Sequence, residues 1–232
     1  MMKTKHRFEI VRNCVIASGL FFLLFSCAKM DDTYKGFVVP DGLVYVGKAD
    51  PVSINSGKQR IKVSWLRGTD QKATMARIYW NNRADSLNVP ITATRPKDTI
   101  SVIINNLNEG SYVFQIFTYD NAKNSSIQVD ALGVSYGMVY EKSLLNRVIT
   151  DIKKGSDTAI LTLLSVDATS LGTKFSYTNK NGARVDTLVD QKAQTLRLPN
   201  MNKDTAFTYV TMYKPVINCL DTFYAPSGKY PR

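Results

Sequence analysis

Few side chains in this 232-residue chain suit covalent or acid–base chemistry, and their positions bound what it can do. The cysteines are Cys14, Cys27 and Cys219, the one histidine is His6, and the glutamates are Glu9, Glu109 and Glu141. Cys27 is the one with a chemical context. It follows Ser26 at the end of an uncharged apolar run, residues 14–25 (CVIASGLFFLLF), which is preceded by Lys3, Lys5, Arg7 and Arg12. A basic head, about a dozen apolar residues and a small residue before the cut form the pattern of a secretory signal. The run is shorter than the roughly 20 residues that a membrane-spanning helix needs. Residues 1–26 therefore read as a signal peptide, and His6 and Cys14 leave with it.

The chain beyond Ser26 contains no histidine. Ser-His-Asp and Cys-His nucleophilic sites are excluded there, as is any zinc site built on imidazole. Cys219 is the only free thiol, so no intramolecular disulfide can form, and its strand-like surroundings suit a small buried hydrophobe. A paired-carboxylate hydrolase would need acids brought together by the fold. Glu109, however, sits at a turn and Glu141 in a connecting segment. Asp186 and Asp190 invite a calcium or acid–base reading, but the aspartates are spread through turns. We expect no catalytic residue, no metal site and no cofactor, and the sequence singles out no binding residues.

The segment Leu24-Phe25-Ser26-Cys27 resembles a bacterial lipobox. The resemblance implies diacylation of Cys27, cleavage before it and acylation of the new amine. Each buried CH₂ contributes about 0.8 kcal/mol, so two or more chains hold a protein stably on a membrane. Lys29-Met30-Asp31-Asp32 resembles the short tag that sends lipoproteins of Bacteroidetes-type bacteria to the outer face of the outer membrane. Residues 27–40 then form a lipidated tether, with Gly36 and Pro40 suiting a short stalk. The partner expected on this reading is the membrane, through Cys27. Beyond residue 26 there remain 26 basic and 18 acidic residues, a net charge of +8. Such a balance favours anionic surfaces or acidic glycans. Nucleic acid is not an expected partner of a secreted lipoprotein.

From Leu43 onward the apolar residues recur with a period near two, and turn residues come every eight to twelve positions, as in a sandwich or barrel. Strands are expected at Leu43–Val46, at Pro51–Ile54 before an Asn55-Ser56-Gly57 turn, and at 60–66, 74–81, 98–104, 111–119 and 126–134. Trp65 alternates with Ile61 and Val63 and reads as core. Trp80 shares the face of Ile78 and also reads as core; exposed, it would be a sugar-stacking platform flanked by Tyr79, Arg77 and Arg83. Further strands are expected at 159–164, 174–178, 195–198, 206–213 and 221–224, with Asn181-Gly182 as a hairpin turn. Residues 41–139 form a first domain, 140–157 a linker with a helical turn at 141–147, and 158–232 a second, smaller repeat. Trypsin is expected to cut first between Arg147 and Lys154.

Leu107-Asn108-Glu109-Gly110-Ser111-Tyr112 resembles the turn entering the sixth strand of fibronectin type III domains, where a corner tyrosine pins the strand. Trp65 matches that family's core tryptophan. Asn106-Leu107-Asn108 recurs as Asn200-Met201-Asn202, and Tyr79-Trp80-Asn81 is echoed by Tyr177-Thr178-Asn179. The fold expected is all-β: two tandem immunoglobulin-like (fibronectin type III-like) sandwiches behind a lipoprotein signal peptide. The order of Val44-Tyr45, Gly47-Lys48, Ile78-Tyr79-Trp80-Asn81, Tyr136-Gly137, Leu144–Arg147 and Asp221–Tyr224 resembles a family of Bacteroidetes surface lipoproteins of unknown function. Members often carry a further carbohydrate-binding module after the second repeat, and this sequence ends at Arg232. The resemblance implies a non-catalytic outer-membrane lipoprotein facing the cell exterior, a binding or spacer module serving glycan capture and uptake. The alternative is a structural or adhesive protein that binds a host or fibre protein by strand-edge contacts.

Overall fold

The computed structural model describes Gly36, Gly42, residues 44–201 and residues 206–231. Residues 1–26, read from the sequence as a signal peptide, Cys27 and most of the expected tether 27–40 lie outside the described residues, and the described residues from Tyr45 onward fold as one unit.

Alternating side chains build the first sandwich from β1 (Val52–Lys58), β2 (Arg60–Leu66), β3 (Met75–Trp80), β4 (Asp85–Pro90), β5 (Thr99–Asn105), β6 (Gly110–Tyr119) and β7 (Val129–Tyr136). One sheet runs β1-β2-β5 and the other β4-β3-β6-β7. Period-two patterning turns Ile61, Val63, Trp65, Ala76, Ile78, Phe114 and Ile116 inward, all at most 2% exposed. The last two residues of β1 leave β2 and cross to the other sheet. There Gly57 and Lys58 pair in parallel with Ser135 and Tyr136, closing the seam between the sheets.

The second sandwich repeats the plan with β8 (Ile149–Lys154), β9 (Thr158–Leu163), β10 (Ser170–Thr178), β11 (Arg184–Val189), β12 (Thr195–Pro199), β13 (Phe207–Tyr213), β14 (Phe223–Tyr224) and β15 (Gly228–Tyr230). Its sheets are β8-β9-β12 and β11-β10-β13, with β14 and β15 both pairing β13. The core is Leu161, Leu163, Phe175, Leu198, Met201 and Phe207 with their neighbours. The sequence repeat has a backbone counterpart. Asn106 and Asn200 both adopt positive φ (59° and 51°), a region that asparagine tolerates better than most residues, and each precedes a buried apolar residue, Leu107 or Met201.

Three local expectations change. Asn55-Ser56-Gly57 is strand rather than turn, because it pairs with β2 and β7, and the Ser56 carbonyl accepts the Leu220 N–H at 2.7 Å. The turn lies at Gln59, with φ 52°. Among residues 44–46 there is no strand, although Val46 is buried. Residues 140–157, read from the sequence as a linker, carry the end of helix α1 (Met138–Ser143) and the whole of β8. The first turn of α1 is held by Glu109, whose carboxylate accepts the Val139 and Tyr140 N–H groups, each at 2.7 Å.

The two sandwiches are docked through named groups. Tyr136, Tyr140, Leu144, Tyr213, Cys219, Phe223 and Ala225 form an apolar cluster at the junction, with the Tyr140 and Phe223 rings edge to face at 5.1 Å. Beside it, Asp221 receives the Lys58 N–H at 2.7 Å and the Arg60 guanidinium at 2.5 and 3.1 Å. Lys58 Nζ reaches Glu141 at 2.7 Å.

Candidate binding face on the first sandwich

The outer face of β4-β3-β6-β7 brings together the polar and aromatic residues that alternate with the core. Register sets Tyr79 opposite Gln115 and Arg77 opposite Phe117. Gln115 lies opposite Asp130, and Val113 opposite Leu132. The Tyr79 and Phe117 rings meet edge to face, 6.0 Å apart at 85°. The Arg77 guanidinium stands 5.0 Å from the Tyr79 centroid, and that of Arg83 lies 5.7 Å from Tyr79 and 5.4 Å from Phe117.

Arg83 reaches this position because of its turn. Asn81, Asn82 and Arg83 all have positive φ (51°, 54° and 66°), which turns the chain tightly from β3 into β4. A left-handed arginine is uncommon, and here its side chain is fixed by Nε donating to Gln115 Oε1 at 2.6 Å and Nη2 donating to Gln128 Oε1 at 2.9 Å. Gln128 in turn donates to Asp130 at 2.7 Å, and Arg77 donates to Ser86 Oγ at 3.0 and 3.3 Å. Burial pushes the Tyr119 phenol above its ordinary value, and its hydrogen bond with Tyr79 adds to the shift. The result is a platform of two stacked guanidinium groups, two rings and two amides.

The other sequence candidates are placed elsewhere. Trp65 is core, 2% exposed, and Trp80 is half-buried against Phe114, its centroid 6.4 Å away. Tyr79, rather than Trp80, is therefore the outward aromatic. Tyr112 is a corner tyrosine, donating its hydroxyl to the Asn108 carbonyl at 3.0 Å. Cys219 is buried at the junction, where desolvation pushes its thiol up and away from nucleophilic thiolate. Asp186 is held well below the usual carboxylate range by Lys174, then by Ser176 and Arg184. Asp190 accepts the Lys192 N–H at 2.8 Å in the loop after β11. Glu109 and Glu141 are both engaged at the junction. Among the described residues no group of three His, Cys, Asp or Glu side chains is placed to hold a metal. Phe117, Gln115 and Gln128 were missed as site residues; the outward phase of β6 relative to Tyr79 is the signal that would have found them.

Two tandem sandwiches, three strands packed on four in the first and three packed on a five-stranded sheet in the second, with a corner tyrosine in the first unit, define a tandem fibronectin type III-like protein. The chain belongs to the DUF4998 family, described as a domain of unknown function, which matches residues 27–223. A two-domain fibronectin type III segment from chicken tenascin is similar at 12% identity and TM-score 0.33, covering 79% of this chain and 97% of that one. The FN1-FN3 domains of chicken CNTN1 are similar at 12% identity and TM-score 0.44, covering 81% of this chain and 64% of that one. No curated protein matches the chain.

Proposed function

We propose that the mature chain is a non-catalytic binding module, lipidated at Cys27 and held on the exterior of the outer membrane, whose ligand is a glycan. The observation that carries the ligand class is the Arg77–Tyr79–Arg83–Phe117 platform. Its rings suit the apolar side of a sugar, and its guanidinium and amide groups suit hydroxyls and carboxylates. Two arginines on one face, in a chain of net charge +8 beyond residue 26, favour uronate-bearing over neutral polymers.

Titration of the purified mature chain with uronate-bearing and neutral polysaccharides tests this reading. Binding is expected to favour the acidic polymers and to weaken as salt rises, since screening acts strongly on exposed charges. The double substitution Tyr79→Ala with Arg83→Ala is expected to weaken binding about tenfold, equivalent to about 1.4 kcal/mol, with the fold intact. Reducing sugar released from any polymer, or equal binding by the double variant, overturns the proposal. The anchor has its own test. Cys27→Ala is expected to move the protein out of the detergent phase, and unchanged partitioning refutes lipidation.

A further inference from the structure

The outer face that carries the arginine–aromatic platform continues past it. Along β6 the outward residues run Phe117, Gln115, Val113, and register sets Arg77 opposite Phe117, Asp130 opposite Gln115 and Leu132 opposite Val113. Each step of two residues, about 7 Å, changes the chemistry: guanidinium and ring, then amide and carboxylate, then aliphatic. At the aliphatic row a cavity of about 820 Å³ opens between this sheet and a loop of the second sandwich, Val216-Ile217-Asn218. Among the described residues no charged side chain lines it.

The loop is fixed by its backbone. The Cys219 N–H donates to the Val216 carbonyl at 3.0 Å, the Leu220 N–H to the Ser56 carbonyl at 2.7 Å, and the Asn55 amide to the Asn218 carbonyl at 3.0 Å. Cys219 is buried, so the loop is pinned on both sides of its tip. Val113, Leu132, Val216 and Ile217 nevertheless stand 43–94% exposed, with Ile217 the most exposed. A contiguous apolar patch held open in this way marks an interaction site.

We propose that this face takes an anionic glycolipid. Its acid group lies at Arg77 and Arg83, its sugar hydroxyls meet Gln115 and Asp130, and its alkyl or acyl chain lies in the wedge between Val113, Leu132 and Ile217. Charge sets that order. Among the described residues neither guanidinium is paired with a carboxylate: Arg77 donates to Ser86, and Arg83 to Gln115 and Gln128. Asp130 repels an acid placed in the middle row and accepts hydroxyls there instead. The wedge supplies no ion partner and gains only from apolar surface, in proportion to the area buried. A plain polyuronate covers the first two rows and leaves the third bare. The proposal rests on the platform being a uronate site and adds the chain to its ligand.

Amide NMR titration of the mature chain with methyl glucuronide, octyl glucuronide and octyl glucoside, each below its micelle threshold, tests this. Octyl glucuronide is expected to bind at least tenfold tighter than either of the others. Leu132→Ser with Ile217→Ser, both at exposed positions, is expected to bring octyl glucuronide to the level of methyl glucuronide, with methyl glucuronide binding and melting temperature unchanged. Tyr79→Ala with Arg83→Ala is expected to bring it to the level of octyl glucoside. If the two glucuronides bind alike and both are weakened by the platform variant, the chain has no site here and the uronate reading stands. Octyl glucuronide binding that the platform variant leaves intact overturns both. Equal binding of the two octyl glycosides removes the anion from the proposal and overturns it. No binding of octyl glucuronide overturns it too, and the polymer titration then decides the uronate reading alone. A ligand-free dimer that Leu132→Ser with Ile217→Ser dissolves assigns the wedge to a second copy and overturns the glycolipid.

Discussion

Arg147→Met is expected to destabilise the second sandwich by about 3 kcal/mol, a large part of the stability of a domain this size. Arg147 is 1% exposed, the largest fully buried side chain among the described residues. Its guanidinium donates to the carbonyls of Leu164 at 2.6 Å, Asp190 at 2.7 Å, Gln191 at 3.1 Å and Ala193. Its own N–H donates to Thr211 Oγ1 at 2.8 Å. A single side chain thus ties the loop after β9 to the loop between β11 and β12. Methionine fills much of the volume but leaves those acceptors without a donor. A buried acceptor without its partner costs about 1–3 kcal/mol, discounted here because several carbonyls can turn to water. Desolvation lowers the guanidinium pKa, opposed by nearby Asp190, but arginine stays charged throughout the accessible range.

Arg147→Lys is expected to fall between parent and methionine, since an ammonium cannot present the same planar fork. The first sandwich supplies an internal comparison. Arg67, 8% exposed, joins the equivalent loops there with bonds to Ala93 at 3.0 Å and Asp70 at 2.6 Å. With fewer acceptors engaged, Arg67→Met is expected to cost less. Urea unfolding followed by amide exchange, which reports the two sandwiches separately, checks both. An Arg147→Met variant within 1 kcal/mol of the parent would show that the loops close without the guanidinium.

The strands with strict alternation were legible in the sequence. Ile61, Val63 and Trp65 on β2 and Ala76, Ile78 and Trp80 on β3 announce both period and inward face. Asn106 and Asn200 announced the repeat, since a positive-φ turn limits which residues serve there. β8 was not legible. Ile149-Thr150-Asp151-Ile152-Lys153-Lys154 has a bulge that breaks the period, and Lys153-Lys154-Gly155-Ser156 has the composition of a solvated link. Arg147 was opaque for a related reason: an arginine between Leu145 and Val148 looks like a surface charge until the loops that enclose it are known. The binding face was half legible. Tyr79, Arg77 and Arg83 stood out on one strand and turn, but Phe117 and Gln115 join them only through cross-strand register, which sequence spacing does not contain.

Gly57→Val is expected to undock the two sandwiches while leaving each folded. A Cβ at Gly57 would stand 2.7 Å from Asp221 Oδ2 and 3.0 Å from Arg60 Cγ, inside the ion pair that joins the domains. Overpacking of this kind costs about 1–3 kcal/mol, and separation of the domains relieves it. The Leu220–Ser56 and Asn55–Asn218 hydrogen bonds, at 2.7 and 3.0 Å, would be lost with it. In the parent, trypsin is expected to spare Arg147, which is buried, and to cut slowly at Lys153 and Lys154, which sit in a paired strand. The variant is expected to be cut first after Lys142, at the exposed end of α1, giving two folded halves. Acid should mimic the substitution. Arg60, and then the Lys58 N–H, hold Asp221 below the ordinary carboxylate range against the opposing effect of burial. A depressed folded pKa contributes stability above the unfolded value of about 3.9, and that contribution is lost as pH falls through the folded value. Small-angle scattering is therefore expected to show one fixed dimension near neutral pH, and an extended, more variable particle once the pH falls through the depressed Asp221 value, below the ordinary carboxylate range. A Gly57→Val protein with the parent's scattering curve and parent's proteolysis at neutral pH would mean that the aromatic cluster of Tyr136, Tyr140 and Phe223 holds the junction without Asp221.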